Sequence, residues 1–585
     1  MRLGLYQKRV HTSVRVFFWT LAIVLGMIQA WRYRFTGSAD GISYLDIGQA
    51  YFRGDWSHAI NAYWSPFYSW LLGLAVITLR PSPVWLLGVQ KLVNFIIFVG
   101  SLACFDYFLH ELIRDSKEAS PGHPEVGVAI KSSLGWLVLG YPLFIWASLC
   151  LISLSNDTPD ILVGALVYLA SGLVLRIRRN QNRLNYFTLG AVLGFGYLAK
   201  AVLLPLGLVF IGTCFLIGGW SGDSLRRTAI TLATFILVCA PFVIAVSSVK
   251  KRITMGDAGP LNYAWEVNGY KNWVHWQGDE PNSGTPTHPT RRIFDSPQTF
   301  EFNGPITGTY SPWYDPSYWN EGIKTHFDLK KHLRIIATSA RSYFQILNKL
   351  HVGQVLAVGL LALFFSSPTR PRKLLTEILR EVLPFLPAIS ALTLYAFIYT
   401  ESRYVAAFLL VTLLGIFRGI RPGTSASGRL STSIFMSLGL LITLGLCWVN
   451  LHDGQRLARD IYKGEISSAS DNKYWKVAEG LHQLGIKNGD GIAYIGHTWD
   501  EVPWAKLAQV RLTAEITYIA SRNQTFSEVD KFWGAEPSVK QDIISAFARS
   551  GATAVVADHM PPEVSRDGWN QIGDTQLFLY RIGNP

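Results

Sequence analysis

The sequence predicts a polytopic α-helical membrane protein with a C-terminal α/β domain, and three observations predict it. Charged residues are 16% of the 585-residue chain and hydrophobic residues 49%, whereas a soluble domain carries about 25% charge. Apolar runs of about 20 residues, long enough to cross a hydrocarbon core of about 30 Å, recur through residues 1–450. Six short segments between those runs (1–15, 114–131, 176–184, 220–228, 367–380 and 418–429) carry 20 Lys/Arg against 5 Asp/Glu, the positive-inside pattern of cytoplasmic loops.

That pattern also accounts for the net charge of +13, because residues 451–585 hold 14 Lys/Arg and 17 Asp/Glu. The positive charge belongs to membrane loops, so it gives no reason to expect a nucleic-acid partner. The five cysteines (Cys104, Cys150, Cys214, Cys239 and Cys447) all fall in apolar runs, which excludes a disulfide framework or a zinc ribbon. His275, His288, His326 and His332 have no HExxH or HxH spacing, and no Walker loop, GxGxxG or GxSxG is present.

The runs near 14–33, 84–110, 130–153, 159–177, 229–248, 349–366, 382–399, 404–419 and 431–450 are expected to cross the membrane. Residues 185–219 add two more, broken around Lys200 and Pro205, for about 11 transmembrane helices. The first run follows Lys8, Arg9 and Arg15 and is too long for a signal peptide, so it is expected to stay as an anchor with a cytoplasmic N-terminus. Pro66–Leu79 has 14 apolar residues, a reach of about 21 Å. It is expected to lie along the outer leaflet, which keeps all six basic segments on one side. The transmembrane domain then covers 1–450, with a first outer loop at 34–83 and a large aromatic-rich outer loop at 249–348. Residues 451–585 form the extracytoplasmic α/β domain, with helices at Tyr474–Leu484 and Val539–Phe547 and strands at Ile492–Ile495, Ala552–Ala557 and Leu577–Ile582.

The first outer loop runs Ser38-Ala39-Asp40-Gly41-Ile42-Ser43-Tyr44, reaches Gly54-Asp55-Trp56, and continues to Tyr63-Trp64-Ser65-Pro66. Asp40 after a small-residue turn suits a helix cap as well as a general base. The whole pattern resembles the first extracytoplasmic loop of the GT-C glycosyltransferases, the protein O-mannosyltransferase and aminoarabinose-transferase (GT39-like) branch in particular. In that family an Asp, often followed by Glu, precedes a Tyr, an amphipathic helix ending in Gly-Asp-Trp, and a Pro-led juxtamembrane helix. Asp40 matches the catalytic Asp, Tyr44 the following Tyr, and Pro66 the start of the juxtamembrane helix. Gly41 departs from the pattern, standing where many relatives carry a second acid, and Trp64-Ser65 replaces residues that are polar or charged in several relatives.

Three further elements fit the same resemblance. Asn156-Asp157-Thr158-Pro159-Asp160 resembles an acidic motif before a transmembrane helix, with Asp157 the better match. Gly196-Tyr197-Leu198-Ala199-Lys200 resembles a helix end bearing a lysine, and Glu401-Ser402-Arg403-Tyr404 resembles an Arg-Tyr element. Each has a plainer reading: a cap for Asp157, a snorkelling side chain for Lys200, a surface pair of Glu401 with Arg403. Positive-inside counting puts all of them on the side of Asp40.

The resemblance implies a glycosyltransferase that moves a sugar from a polyprenyl-phosphate donor to a lipid, glycan or protein acceptor on the extracytoplasmic face, with inversion. Asp40 would be its base, and Tyr44, Asp157, Lys200, Arg403 and Tyr404 its substrate-binding residues. It implies no firm cofactor and leaves a divalent metal open. The expected location is a bacterial inner membrane. A transporter or flippase, which would place ionisable residues near the bilayer midplane, and a noncatalytic assembly factor that keeps the fold are the alternative readings.

Overall fold

The computed structural model describes residues 2–118, 133–270, 275–278, 280–288, 291–302, 308–365, 381–419, 425–463, 472–517, 527–558 and 560–583. Of the basic segments expected at the cytoplasmic face, 119–131 and 367–380 lie outside these residues.

Helix α1 (Arg2–Arg32) leads to α2 (Ala39–Arg53), which Ser38 caps by accepting from the Gly41 amide and which ends at Gly54 in the left-handed conformation, φ 72°. α3 (Pro66–Leu79) has Pro at its first position, where no donor is lost, and lies against α2. α4 (Leu86–Glu118) packs along α6 (Asp160–Arg179), and between them in sequence runs α5 (Ser133–Ile145), continued by a π-helical stretch at Trp146–Ile152. α6 has Asp160 in its first turn and Arg176, Arg178 and Arg179 in its last, the charge order that a helix dipole favours. α7 (Arg183–Ala199) and α8 (Leu203–Gly218) are separated by a break at residues 200–202, where Lys200 takes an extended conformation. α9 (Gly222–Lys250) returns to the outer loop. After that loop, α10 (Leu329–Leu347) bends by 65° into the helical segment that includes α11 (Val352–Phe365). α12 (Leu386–Ile398), α13 (Ser402–Gly419) and α14 (Ser425–Lys463) complete the bundle.

The chain is thus an integral membrane protein. Among the described residues six helices are long and apolar enough to cross a bilayer, or seven if the bent pair is one span. Three apolar helical stretches of 10–17 residues, including Pro66–Leu79, are too short by that measure, so the expected eleven crossings do not emerge from length and composition alone. α14 has 39 residues, about 58 Å, and runs straight through residue 450 into the polar region.

The C-terminal part contains a seven-stranded sheet of order β1-β2-β4-β3-β5-β7-β6. β3 (Gly491–Gly496), β4 (Arg511–Thr517) and β5 (Ala554–Ala557) form a parallel centre, and β6 (Trp569–Gln571) and β7 (Phe578–Arg581) close one edge. The other edge is a hairpin, β1 (Arg291–Asp295) and β2 (Gln298–Glu301), contributed by the large outer loop. The two-residue alternation along β3 divides the interior. Ile492 and Tyr494 join the same apolar core as the helix bundle, whereas Ala493 and Ile495 face a separate core with Phe532, Ile543 and Phe547.

α2 and α3 meet at glycines: a Cβ on Gly48 would lie 2.4 Å from the Ser69 carbonyl oxygen and 2.9 Å from the Gly73 nitrogen. Gly48→Leu is therefore expected to destabilise the protein by about 1–3 kcal/mol through overpacking, seen as a lower melting temperature. Gly100→Leu, where nothing lies within 4 Å, should leave that temperature unchanged.

Candidate active site

Ser38, not Asp40, caps α2: its hydroxyl accepts from the Gly41 amide at 3.2 Å. This frees the Asp40 carboxylate from the capping role. Its Oδ1 instead accepts from the indole Nε1 of Trp313 at 2.8 Å, and its Oδ2 lies 3.6 Å from the Arg403 guanidinium. The Asp40 side chain keeps 21% exposure, so a substrate hydroxyl can reach it. Trp313 comes from the large outer loop and is held by its own carbonyl, which accepts from Ser43 and from the Trp64 indole, each at 3.0 Å. Trp265 and Tyr63 pack on its ring.

Opposite Asp40 stand the N-terminus of α6, the break after α7 and the start of α13. Lys200 Nζ donates to Asp160 Oδ1 at 2.5 Å, and Thr158 donates to Oδ2 at 2.7 Å. Arg403 Nε is 3.9 Å from Asp160 Oδ2 and donates to Glu401 Oε1 at 2.8 Å. The Lys200 ammonium sits 3.7 Å from the centre of the Tyr404 ring, a cation–π contact, and Tyr404 stacks on Tyr395. Four chain segments, near residues 40, 160, 200 and 403, thus converge on one set of charges.

Two of the sequence candidates play other parts. Asp157 does not face this set; it pairs with Lys91, which also donates to the Ser155 carbonyl at 2.7 Å, and both side chains of the pair are 1% exposed. Burial pushes the Asp157 carboxyl above the ordinary carboxylate range, against the pull of Lys91. The place beside Lys200 and Arg403 that the sequence reading gives to Asp157 is held by Asp160, three residues on. Tyr44 is packed edge-to-face against Trp64 and Tyr68. Burial, followed by the nearby Asp40 charge, raises its phenol well above the usual range.

Gly41 also has a physical explanation. A Cβ there would stand 2.4 Å from Asp157 Cβ and 2.8 Å from Gln90 Nε2, so the position cannot carry a second acid while Asp157 and Gln90 fill the space behind it. Each nearby carboxylate already has a cation: Asp157 has Lys91, Asp160 has Lys200, and Asp40 has Arg403. Among the described residues no three His, Cys, Asp or Glu side chains converge to hold a metal ion. Paired with cations in this way, these carboxylates do not form the donor set of a resident divalent cation.

Asp160, Trp313 and Lys91 are the contributors that sequence reasoning missed. Asp160 carried a signal, since it directly follows Thr158-Pro159 at a helix start. Trp313 was marked only as one of many aromatics in 249–348, an interfacial belt or a cover over the site; its bond to Asp40, 273 residues away, had no signal.

No family model and no curated protein matches the chain. Among solved structures it is similar to the oligosaccharyltransferase of Archaeoglobus fulgidus in its apo form, with a TM-score of 0.48 at 13% identity over 94% of this chain and 69% of that one. The same enzyme in complex with Zn and sulfate gives 0.45 at 13% identity, over 93% and 68%. ArnT from Cupriavidus metallidurans in the apo state gives 0.40 at 13% identity, over 97% and 98%. Each is a similarity of chain path and assigns no residue of this site.

The Lys91–Asp157 pair makes a prediction distinct from any catalytic role. Lys91→Met or Asp157→Leu alone should lower stability by about 3–5 kcal/mol, because each strands a buried charge. The double variant should recover most of the loss, as read by thermal unfolding in detergent.

Proposed function

We propose that the protein is a GT-C-type glycosyltransferase that moves a sugar from a polyprenyl-phosphate donor to an acceptor on the extracytoplasmic face. The observation that carries this reading is the meeting of Asp40 with Lys200, Arg403 and Asp160 at the α6 N-terminus. The basic end of α6 is about 25 Å away along the helix. There Arg178 meets Asp115 and Glu381, Arg179 meets Glu111, and Arg418 meets Asp115 and Glu381. By the positive-inside rule that end is cytoplasmic, and the site then opens outside. Ionisable groups gathered at one membrane surface suit a transferase working on a lipid-linked phosphate better than a transporter, which would hold them near the midplane.

In the reaction, Asp40 takes the proton of the acceptor hydroxyl as its oxygen bonds to the anomeric carbon. The bond from that carbon to the phosphate oxygen breaks on the opposite face, which inverts the centre. The leaving lipid phosphate keeps the electron pair, and Lys200 and Arg403 stabilise its charge through ionic hydrogen bonds. Trp313 orients Asp40 and excludes water from its other oxygen.

The resting balance gives Glu401 a role. Two cations, Lys200 and Arg403, face three carboxylates, Asp40, Asp160 and Glu401, and Glu401 is the most exposed of the three at 33%. A donor phosphate competes with it for Arg403.

Asp40→Asn keeps the size of the side chain and removes the base, so turnover should fall by about 100-fold or more with folding intact; activity within about threefold of wild type would overturn the assignment. Lys200→Ala and Arg403→Ala should each weaken donor binding by about tenfold or more, whereas Glu401→Gln should tighten it, all measured by titration with a polyprenyl phosphate. Orientation has its own test in a Cys-free background. Single cysteines at Asp55, Ser82 and Glu401 should react with an impermeant thiol reagent added outside intact cells, and cysteines at Gln181 and Ser224 only after permeabilisation. The reverse labelling would put the site in the cytoplasm.

A further inference from the structure

A cavity of about 680 Å³ lies on a different face of α2 from Asp40, between the C-terminal half of that helix, α3 and the C-terminal domain. Its walls differ in character. One is apolar, formed by Phe52, Val76, Ile77 and the prolines at 81 and 83; the other is polar, with charged groups from α2 and from residues 506–511.

Most of those charges are already matched. Asp46 pairs with Lys506, which also donates to Gln49 at 2.8 Å, and Asp46 accepts from the Thr309 amide at 2.8 Å. Asp55 accepts a hydrogen bond from His58 Nδ1 at 2.8 Å, which is an ion pair only when the imidazole is protonated. What remains is Arg53, in the last turn of α2, and Arg511, the first residue of β4; both are exposed, and neither has a carboxylate partner among the described residues. The cavity therefore combines two unmatched guanidiniums from separate domains with a hydrocarbon wall.

That wall continues into exposed apolar surface: Ile77 is 47% exposed, and Leu74 and Leu79 beside it on α3 are each 52% exposed. An occupant must satisfy both cations and apolar surface, the two characters of an anionic lipid.

We propose that this cavity binds the anionic phosphate headgroup of a membrane lipid, with Arg53 and Arg511 on the phosphate and the acyl chains along the Ile77 face of α3. Arginine suits the role because its planar fork meets phosphate oxygens in pairs. The site is separate from Asp40, and the proposal does not depend on the transfer chemistry above.

The test uses the full chain in a zwitterionic detergent, titrated with short-chain phosphatidylglycerol, short-chain phosphatidylcholine and inorganic phosphate, with binding read by native mass spectrometry. Wild type should bind phosphatidylglycerol well above the other two. Arg53→Ala/Arg511→Ala should weaken that binding by about thirtyfold, the effect of two arginines at about 1 kcal/mol each. Its melting temperature should not move, since both side chains are exposed and unpaired, and Arg53→Lys/Arg511→Lys should restore part of the affinity. Equal binding of phosphatidylcholine would overturn the anionic headgroup, and inorganic phosphate binding as tightly as the lipid would overturn the role of the apolar wall. An unchanged affinity in the double alanine variant would overturn the site.

Discussion

The structure depends on one guanidinium. Arg403 reaches Asp40, Asp160 and Glu401, and through them it joins the first outer loop, the start of α6 and the turn before α13. A lysine could not serve all three: its single ammonium is a point charge, whereas the guanidinium presents donors along a plane. Charges held this way lie partly out of water, where each attraction is stronger than at an open surface. Of the three carboxylates drawn to Arg403, Glu401 is the most exposed.

Asp40 is held from the polar domain as well as from the membrane. Lys506 and Thr309 fix Asp46 on the same helix, and Trp313 bonds Asp40 itself. Behind them, buried Glu515 on β4 gathers Tyr310 at 3.0 Å, His275 at 2.6 Å and the Thr498 hydroxyl. The sheet, the large loop and α2 are therefore tied through polar groups that are costly to leave unpaired. With β1 and β2 also supplied by the large loop, the C-terminal domain acts as a brace for the site.

The opposite end of the bundle has a different logic. Three acids and three arginines (Glu111, Asp115, Glu381, Arg178, Arg179 and Arg418) neutralise one another in a buried network. Balanced in this way, it offers no charge to a ligand and serves to lock α4, α6 and α13 together. At the site end the pairing is uneven: two cations, Lys200 and Arg403, face the three carboxylates of Asp40, Asp160 and Glu401.

The sequence by itself determined the membrane class, most of the apolar helices, the break at Lys200, the short helix at Pro66–Leu79 and three strands of the tail, but not α10 inside the expected large loop, nor β4 and β6. The features it determined follow from local apolar length and periodicity, which a chain carries wherever it is read. The resemblance of its loops to the GT-C family marked Asp40, Lys200 and Arg403. Tertiary structure alone decided that Asp160 rather than Asp157 faces the cations, since both sit on the same turn and only the position of Lys91 claims one of them. It alone brought Trp313 to Asp40 and the β1–β2 hairpin to the sheet. Such contacts join residues hundreds of positions apart, and their energies depend on burial and charge pairing that no local pattern encodes.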